Sequence, residues 1–284
     1  MKTVFIDNTH SYHYGDLNYM SVSKVISKFK PKFDSDFISS RSTLKDLVPT
    51  DYALVSAKYG KENPIIIDIL KEKVNIHEFD IKKQSLLEQW ELNRTEKAAF
   101  GTKFHELMEA KDISEGKTVN EYSKKEYPLV TWEREYPSFD NESPFDDLSQ
   151  CQDGYYPEFL MHDHKNRIAG QSDRVFIETI KGVRYVDIGD WKTDKTIDEV
   201  PLYYKNTPKM YYPLNSIVAT NYNEYSLKIS LYAYMLEQYG FTPRNLGFTH
   251  VKLNESFSIL RERVYRTKYH KDLIINVLDV LNIF

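Results

Sequence analysis

Between Tyr155 and Thr193 the chain carries three strand-length runs separated by two polar turns: YYPEFLMHD, the turn HKNR, IAGQSDRVFIE, a turn near Gly182, and RYVDIGDWKT. Runs rich in Ile, Val, Phe and Tyr bounded by such turns read as strands, and connections this short join only antiparallel neighbours. A three-stranded meander cannot bury its apolar face alone, so flanking segments must cover it. Upstream, residues 81–112 read as one or two helices, broken or kinked near Asn93. Downstream, residues 195–221 are rich in Pro, Asn and Tyr and read as a loop, after which Asn223 caps a helix that runs to about Tyr239 and stops at Gly240. Two further strands, LGFTHVKL and SILRERVY, and a last amphipathic helix with Ile274, Val277, Leu278 and Leu281 on one face complete an order α-β-β-β-α-β-β-α. The expectation is an α/β (α+β) fold with a central mixed sheet flanked by helices.

Residues 1–80 read as an N-terminal, partly helical accessory region packed on a core of residues 81–284. They offer a β-hairpin (TVFID and HSYHY), a short helix from Ser21 to Phe29 ended by Pro31, and a helical stretch over about Asp68–Lys73. A single cysteine, Cys151, excludes a disulfide framework, a cysteine zinc site and an iron-sulfur cluster. No run approaches the ~18–20 apolar residues of a membrane span, and the start of the chain lacks the apolar stretch of a secretory signal, so the expected location is cytoplasmic, without membrane association. A net charge of −4 argues against coating nucleic acid non-specifically, so any phosphate-binding surface must be local.

Chemistry concentrates in three places. His105 and Glu109 lie four apart on one helix face; Asp173 sits in GQSDRV; Asp190 and Lys192 share a strand face in DIGDWKT. The stretch from Asp173 to Asp190 is of a length that a hairpin turning near Gly182 folds back on itself, bringing the two acids side by side. Adjacent carboxylates on an apolar sheet resist ionisation unless a cation neutralises them, and oxygen ligands with an added histidine suit Mg²⁺ or Mn²⁺. Such an ion polarises a phosphoryl oxygen and acidifies a bound water, while Lys192 orients that water or stabilises charge on the phosphate. Glu158, on the first strand, reads equally as an additional acid or as a solvated residue. Glu109 reads as a partner behind the ligands or a solvated helix residue, with a direct role as the alternative. Asp187, three before Asp190, points to the other face.

Gly-Thr-x-x-His in a helix (Gly101, Thr102, His105), Gly-x-x-Asp (Gly170, Asp173), Asp-x-Lys-Thr (Asp190, Lys192, Thr193) and a helix with a polar residue four before a tyrosine (Lys228, Tyr232) together resemble the PD-(D/E)XK nuclease superfamily, in particular its RecB-type and phage-exonuclease branch. The resemblance spans about residues 85–253, and the flank SVSKVISKFKPKFD also looks like that of phage members. It implies a restriction-endonuclease-like αβββαβ core. His105, Asp173, Asp190 and the main-chain carbonyl of Trp191 would hold one or two metal ions there, and Lys192 would serve catalysis. Family members usually carry glutamine where this chain has Lys228. No GxxxxGK[ST] loop is present, so the expected enzyme cuts without ATP.

For DNA contact the sequence offers Lys228, Tyr232 and Thr193, and a basic run of Lys24, Lys28, Lys30 and Lys32 that is otherwise an ordinary solvated face. Tyr203, Tyr204, Tyr211 and Tyr212, among Lys205 and Lys209, could stack on single-stranded bases or anchor a loop. Tyr265, Arg266 and Lys268 read as surface structure. The expectation is a Mg²⁺- or Mn²⁺-dependent deoxyribonuclease, an exonuclease of phage DNA processing or bacterial recombination and repair, acting on linear duplex or single-stranded DNA with a recombination or replication protein as partner. A structure-specific or restriction-like endonuclease and a non-catalytic nucleic-acid-binding scaffold are the alternatives.

Overall fold

The computed structural model describes residues 1–6, 9–132, 141–199 and 208–283. It divides into two compact units, Met1–Pro31 with Lys103–Phe284, and Lys32–Thr102. The sequence reading divides the chain near residue 80, whereas Met1–Pro31 belongs to the sheet-bearing unit, because its strands extend the sheet.

That unit opens with β1 (Val4–Ile6), β2 (Ser11–Tyr14) and β3 (Leu17–Ser21), one strand more than expected, followed by α1 (Val22–Ser27), which is capped by Ser21 accepting from the Lys24 amide at 3.1 Å. The smaller unit holds α2 (Ser35–Leu47), α3 (Pro49–Tyr59), α4 (Ile65–Lys71) and the beginning of α5 (Ile76–Glu115) around Leu44, Ile66, Leu70 and Phe79. Of these, α4 and α5 have counterparts in the sequence reading, and α2 and α3 have none. The face that α2 buries consists of Ser39, Ser40, Thr43 and Leu44, and α3 buries no residue, so neither shows the apolar period that announces a helix. Helix α5 is unbroken at Asn93, contrary to expectation. The Asn93 amide and the Thr95 hydroxyl donate to the carbonyls of Gln89 (2.8 Å) and Glu91 (3.0 Å), satisfying their side chains within the helix.

After α5 come the small hairpin β4 (Lys117–Val119) and β5 (Glu126–Pro128), then β6 (Asn141–Glu142) and the meander itself: β7 (Gly154–Asp163), β8 (Ile168–Ile180) and β9 (Val183–Gly189). Lys181 and Gly182 join β8 to β9 with φ of 50° and 81°, the two left-handed residues of a tight hairpin turn. Next are β10 (Trp191–Lys192), α6 (Asn221–Glu237), β11 (Thr242–Leu253), β12 (Ile259–Arg266) and α7 (Lys271–Ile283). The cap of α6 is Thr220, which accepts from the Asn223 amide at 3.2 Å, so Asn223 lies inside the helix rather than before it.

The sheet is mixed. Strands β7, β8 and β9 are antiparallel neighbours, while β3 joins β8, β11 joins β9 and β10 joins β11 in parallel. Its main core sets Val175, Ile177, Val186 and Ile188 together with α1, α6 and α7 through Val25, Leu231, Met235 and Ile274. Phe104 and Met108 of α5 pack with Trp191 and Val251, so helices flank the sheet. Gly170 is required where it stands, because a Cβ there would come within 2.6 Å of Tyr232 and 2.8 Å of Val22. No helix among the described residues is long and apolar enough to cross a membrane.

Candidate active site

The register of the meander lines up three carboxylates. Pairing of Arg174 with Gly189 places Asp173 across from Asp190, and pairing of Pro157 with Arg174 and of Phe159 with Ser172 places Glu158 across from Asp173. Glu158, Asp173 and Asp190 therefore form a row across β7, β8 and the end of β9. Glu158 is held at φ 47°, in the left-handed region that a non-glycine residue enters at a cost of ~1–3 kcal/mol.

His105 of α5 faces the row. Its Nδ1 lies 3.1 Å from Asp173 Oδ1 and 3.8 Å from Glu158 Oε1. One ligand atom each from His105, Glu158 and Asp173 lie within 4.8 Å of one another. This is the group among the described residues that could hold a metal, and its one nitrogen and two carboxylates are the donor chemistry of Mg²⁺ or Mn²⁺. Two of the expected ligands are engaged otherwise: the Lys192 ammonium bonds the Asp190 carboxylate and, at 2.9 Å, the Trp191 carbonyl. Asp173 also accepts from the Trp191 amide, which ties β8 to the start of β10.

The electrostatics follow from this packing. Burial, and then the Asp190 charge, push the Asp173 carboxyl up to about 7. Burial works on Asp190 in the same direction, but the neighbouring Lys192 ammonium outweighs it and holds that carboxyl below its ordinary range. For Lys192, burial is outweighed by the charges of Asp190 and Asp173, so it stays an ammonium. For His105, burial is outweighed by Asp173 and Glu158 together, which favour the imidazolium; for Glu158, burial is outweighed by the hydrogen bond and charge of His105 together with the Gln171 hydrogen bond, which favour the carboxylate. Three acids thus share two cations.

Side chains that the sequence reading missed brace the row. Gln171 donates to Glu158 Oε2 at 2.5 Å, and Asn141 donates to the Glu158 carbonyl at 2.7 Å and to Gln171 Oε1 at 3.1 Å. Gln171 lies two before Asp173 on the same strand face, a spacing readable in the sequence, whereas Asn141 arrives from β6. Glu109 is half-buried on α5 and lies outside the ligand group. Asp187 points away from the row, as its odd spacing predicts. It is fully buried and accepts from Arg244 (2.9 and 2.8 Å), Asn120 (2.8 Å), and the amide (3.0 Å) and side chain (2.9 Å) of Asn245.

The expected DNA-contacting residues separate. Lys228 pairs with Glu224 at 3.0 Å, Glu224 also binds Lys30, and the Lys228 ammonium stands 5.6 Å from the Tyr225 ring. On the same ring, at 5.1 Å, lies Lys192. Tyr232 is buried against Gly170 instead of standing beside Lys228 at an open edge. Lys24, Lys28 and Lys32 are exposed and Thr193 is half-buried. Tyr211 and Tyr212 are exposed, while Tyr203, Tyr204 and Lys205 lie outside the described residues. Tyr265 is not surface structure: it is buried and stacks on Phe248, with ring centroids 5.0 Å apart.

A cavity of about 360 Å³, lined by Asp112, Glu121, Arg174, Trp191 and Thr249 among others, does not include the carboxylate row. The row, with its perturbed acids and facing histidine, is the candidate site, and that hollow is not part of it. No protein-family model, curated protein or solved structure matches this chain.

Proposed function

We propose that this chain is a metal-dependent deoxyribonuclease of the PD-(D/E)XK type, on a restriction-endonuclease-like core, that hydrolyses phosphodiester bonds from the ends of linear DNA. The observation that carries the reading is the cross-strand row Glu158, Asp173 and Asp190, faced by His105 and closed by Lys192. His105, Glu158 and Asp173 would hold the ion, with Asp190 beside them, and a bound Mg²⁺ or Mn²⁺ supplies Lewis-acid polarisation of the phosphate and a more acidic water. Lys192, kept protonated by its acids, would stabilise the charge that develops on the phosphoryl oxygens as the water oxygen bonds to phosphorus, gives up its proton to solvent, and the ester P–O bond breaks with the departing oxygen taking a proton from solvent. Gln171 and Asn141 hold Glu158 in its strained backbone position.

The test is cleavage of an end-labelled linear duplex, single strands and a covalently closed circle, with Mg²⁺ or Mn²⁺ and with EDTA. Metal-dependent loss of label from linear DNA alone is the expected result, and cutting of the circle would make the enzyme an endonuclease. Lys192→Ala should lower turnover by at least ~10²–10³-fold, the usual cost of deleting a positioned charge stabiliser. Wild-type cleavage by Lys192→Ala or Asp190→Asn at saturating metal overturns the assignment, and no cleavage of any DNA by the intact protein overturns the function.

A further inference from the structure

The β11–β12 hairpin opposes like charges where Lys252 faces Arg261; in register with them His250 faces Arg263, so these four side chains share one face of the pair, two rows deep. Lys192 is paired with His250 on the other edge of β11, which puts the catalytic lysine in the first of those rows. Lys195 joins them: Lys195, His250, Lys252, Arg261, Arg263 and Tyr265 line one groove of about 190 Å³, with no acid in its lining among the described residues. The Arg263 guanidinium stands 4.5 Å from the Tyr265 ring and makes an exposed pair with Glu199 at 2.8 Å, a contact of the kind that contributes little.

Directly opposed like charges destabilise a strand pair, and a protein with net charge −4 has acids in plenty to place there. Lys195, Lys252 and Arg261 are nevertheless exposed. Cations concentrated on one sheet face, in register with a phosphate-cleaving lysine, match a polyanion whose charges repeat along a line. We propose that this ladder is a phosphate track that holds the backbone of the DNA strand whose scissile phosphate lies at Lys192. The inference rests on the nuclease reading and adds to it where the strand runs: from the carboxylate row across β10 onto β11 and β12. It also replaces Lys228, which is paired with Glu224, as the electrostatic contact next to the site.

Binding of a labelled DNA duplex with a single-stranded overhang, with Ca²⁺ in place of the catalytic metal, decides the matter over a salt series. Lys252→Gln with Arg261→Gln removes two phosphate contacts, so the log-log slope of affinity against salt should fall by roughly 1.4–1.8. Between roughly 50 and 200 mM salt this shrinks the loss of affinity by roughly 7- to 12-fold. Lys181→Gln, at the β8–β9 turn and far along the strands from the acids, should leave the slope unchanged. Lys252→Arg with Arg261→Lys should keep the wild-type slope. A wild-type slope in the Gln double variant, with cleavage by the intact protein confirmed, overturns the track and leaves the nuclease standing. Failure of the intact protein to bind or cut any DNA overturns both. Both positions are exposed, and removing opposed like charges should preserve or raise the melting temperature; a variant that melts lower while losing slope would show a structural role for the pair and overturn the inference.

Discussion

Asp173→Asn should stabilise the metal-free protein at alkaline pH while removing its response to metal. Placing this carboxyl at about 7 against an ordinary 3.8 makes its ionisation cost more in the folded chain than in the unfolded one. At about 1.36 kcal/mol per pH unit, the difference is about 4 kcal/mol. The sign is that of a raised acid: the penalty is absent below about pH 3.8, grows as pH rises, and is complete above about pH 7. Asparagine keeps the shape and can still accept from the Trp191 amide, but it sets an amide donor where the His105 imidazolium donates, a poorly paired buried group that costs about 1–3 kcal/mol. The net gain at pH 8 is therefore about 1–3 kcal/mol, and at about 2–4 °C per kcal/mol for a chain of this size it is readable as a shift in melting temperature. Thermal unfolding in EDTA at pH 4 and pH 8, and again with Mn²⁺, is the assay. The variant should match or fall below wild type at pH 4, exceed it at pH 8, and lose the lead when Mn²⁺ is added, because saturation at 100 times Kd contributes about 2.7 kcal/mol to the protein that binds. A variant that melts at or below wild type at pH 8 in EDTA would refute the reasoning: Asp173 would then be a satisfied structural acid and not a carboxylate lacking its cation.

Asp187→Ala should cost about 3–5 kcal/mol, since it removes a fully buried carboxylate, strands the donors of Asn120 and Asn245 and leaves Arg244 with Glu178 as its remaining carboxylate. Urea denaturation measures that loss, and metal-dependent cleavage per folded molecule should be unchanged because the side chain points away from the row. Lys228→Gln should change the salt slope of DNA binding by less than half of the ~0.7–0.9 that one released phosphate contact gives, because the Lys228 ammonium is engaged by Glu224 and not turned to a phosphate. A full-sized change, measured in Ca²⁺, would place Lys228 on a phosphate after all.

What is legible in the sequence depends on spacing within a short stretch. The separation of Asp173 from Asp190 and the Lys181-Gly182 turn between them set a register that needs no other part of the chain, and that register is the one observed. Asp190 and Lys192 fall on one face for the same reason, and the odd spacing of Asp187 sends it to the other. Glu158 is undecidable from the sequence because its neighbours Phe159 and Leu160 are both fully buried, so β7 shows no alternation from which to read a face. Its left-handed backbone has no signature in a non-glycine residue either. Long-range pairing hides the rest. Asn141 reaches Glu158 from β6, a strand too short to announce itself, and Arg244 is far along the chain from its partner Asp187. The charges in VKL and LRERV look like ordinary exposed strand residues until the hairpin sets Lys252 against Arg261. Glu224, by contrast, stands four before Lys228 on a readable helix, so that pairing is available from the sequence. The carboxylate row and the proposed strand track thus differ in kind: Asp173 and Asp190 follow from one local hairpin, whereas the track exists only once two strands distant from that hairpin close beside it.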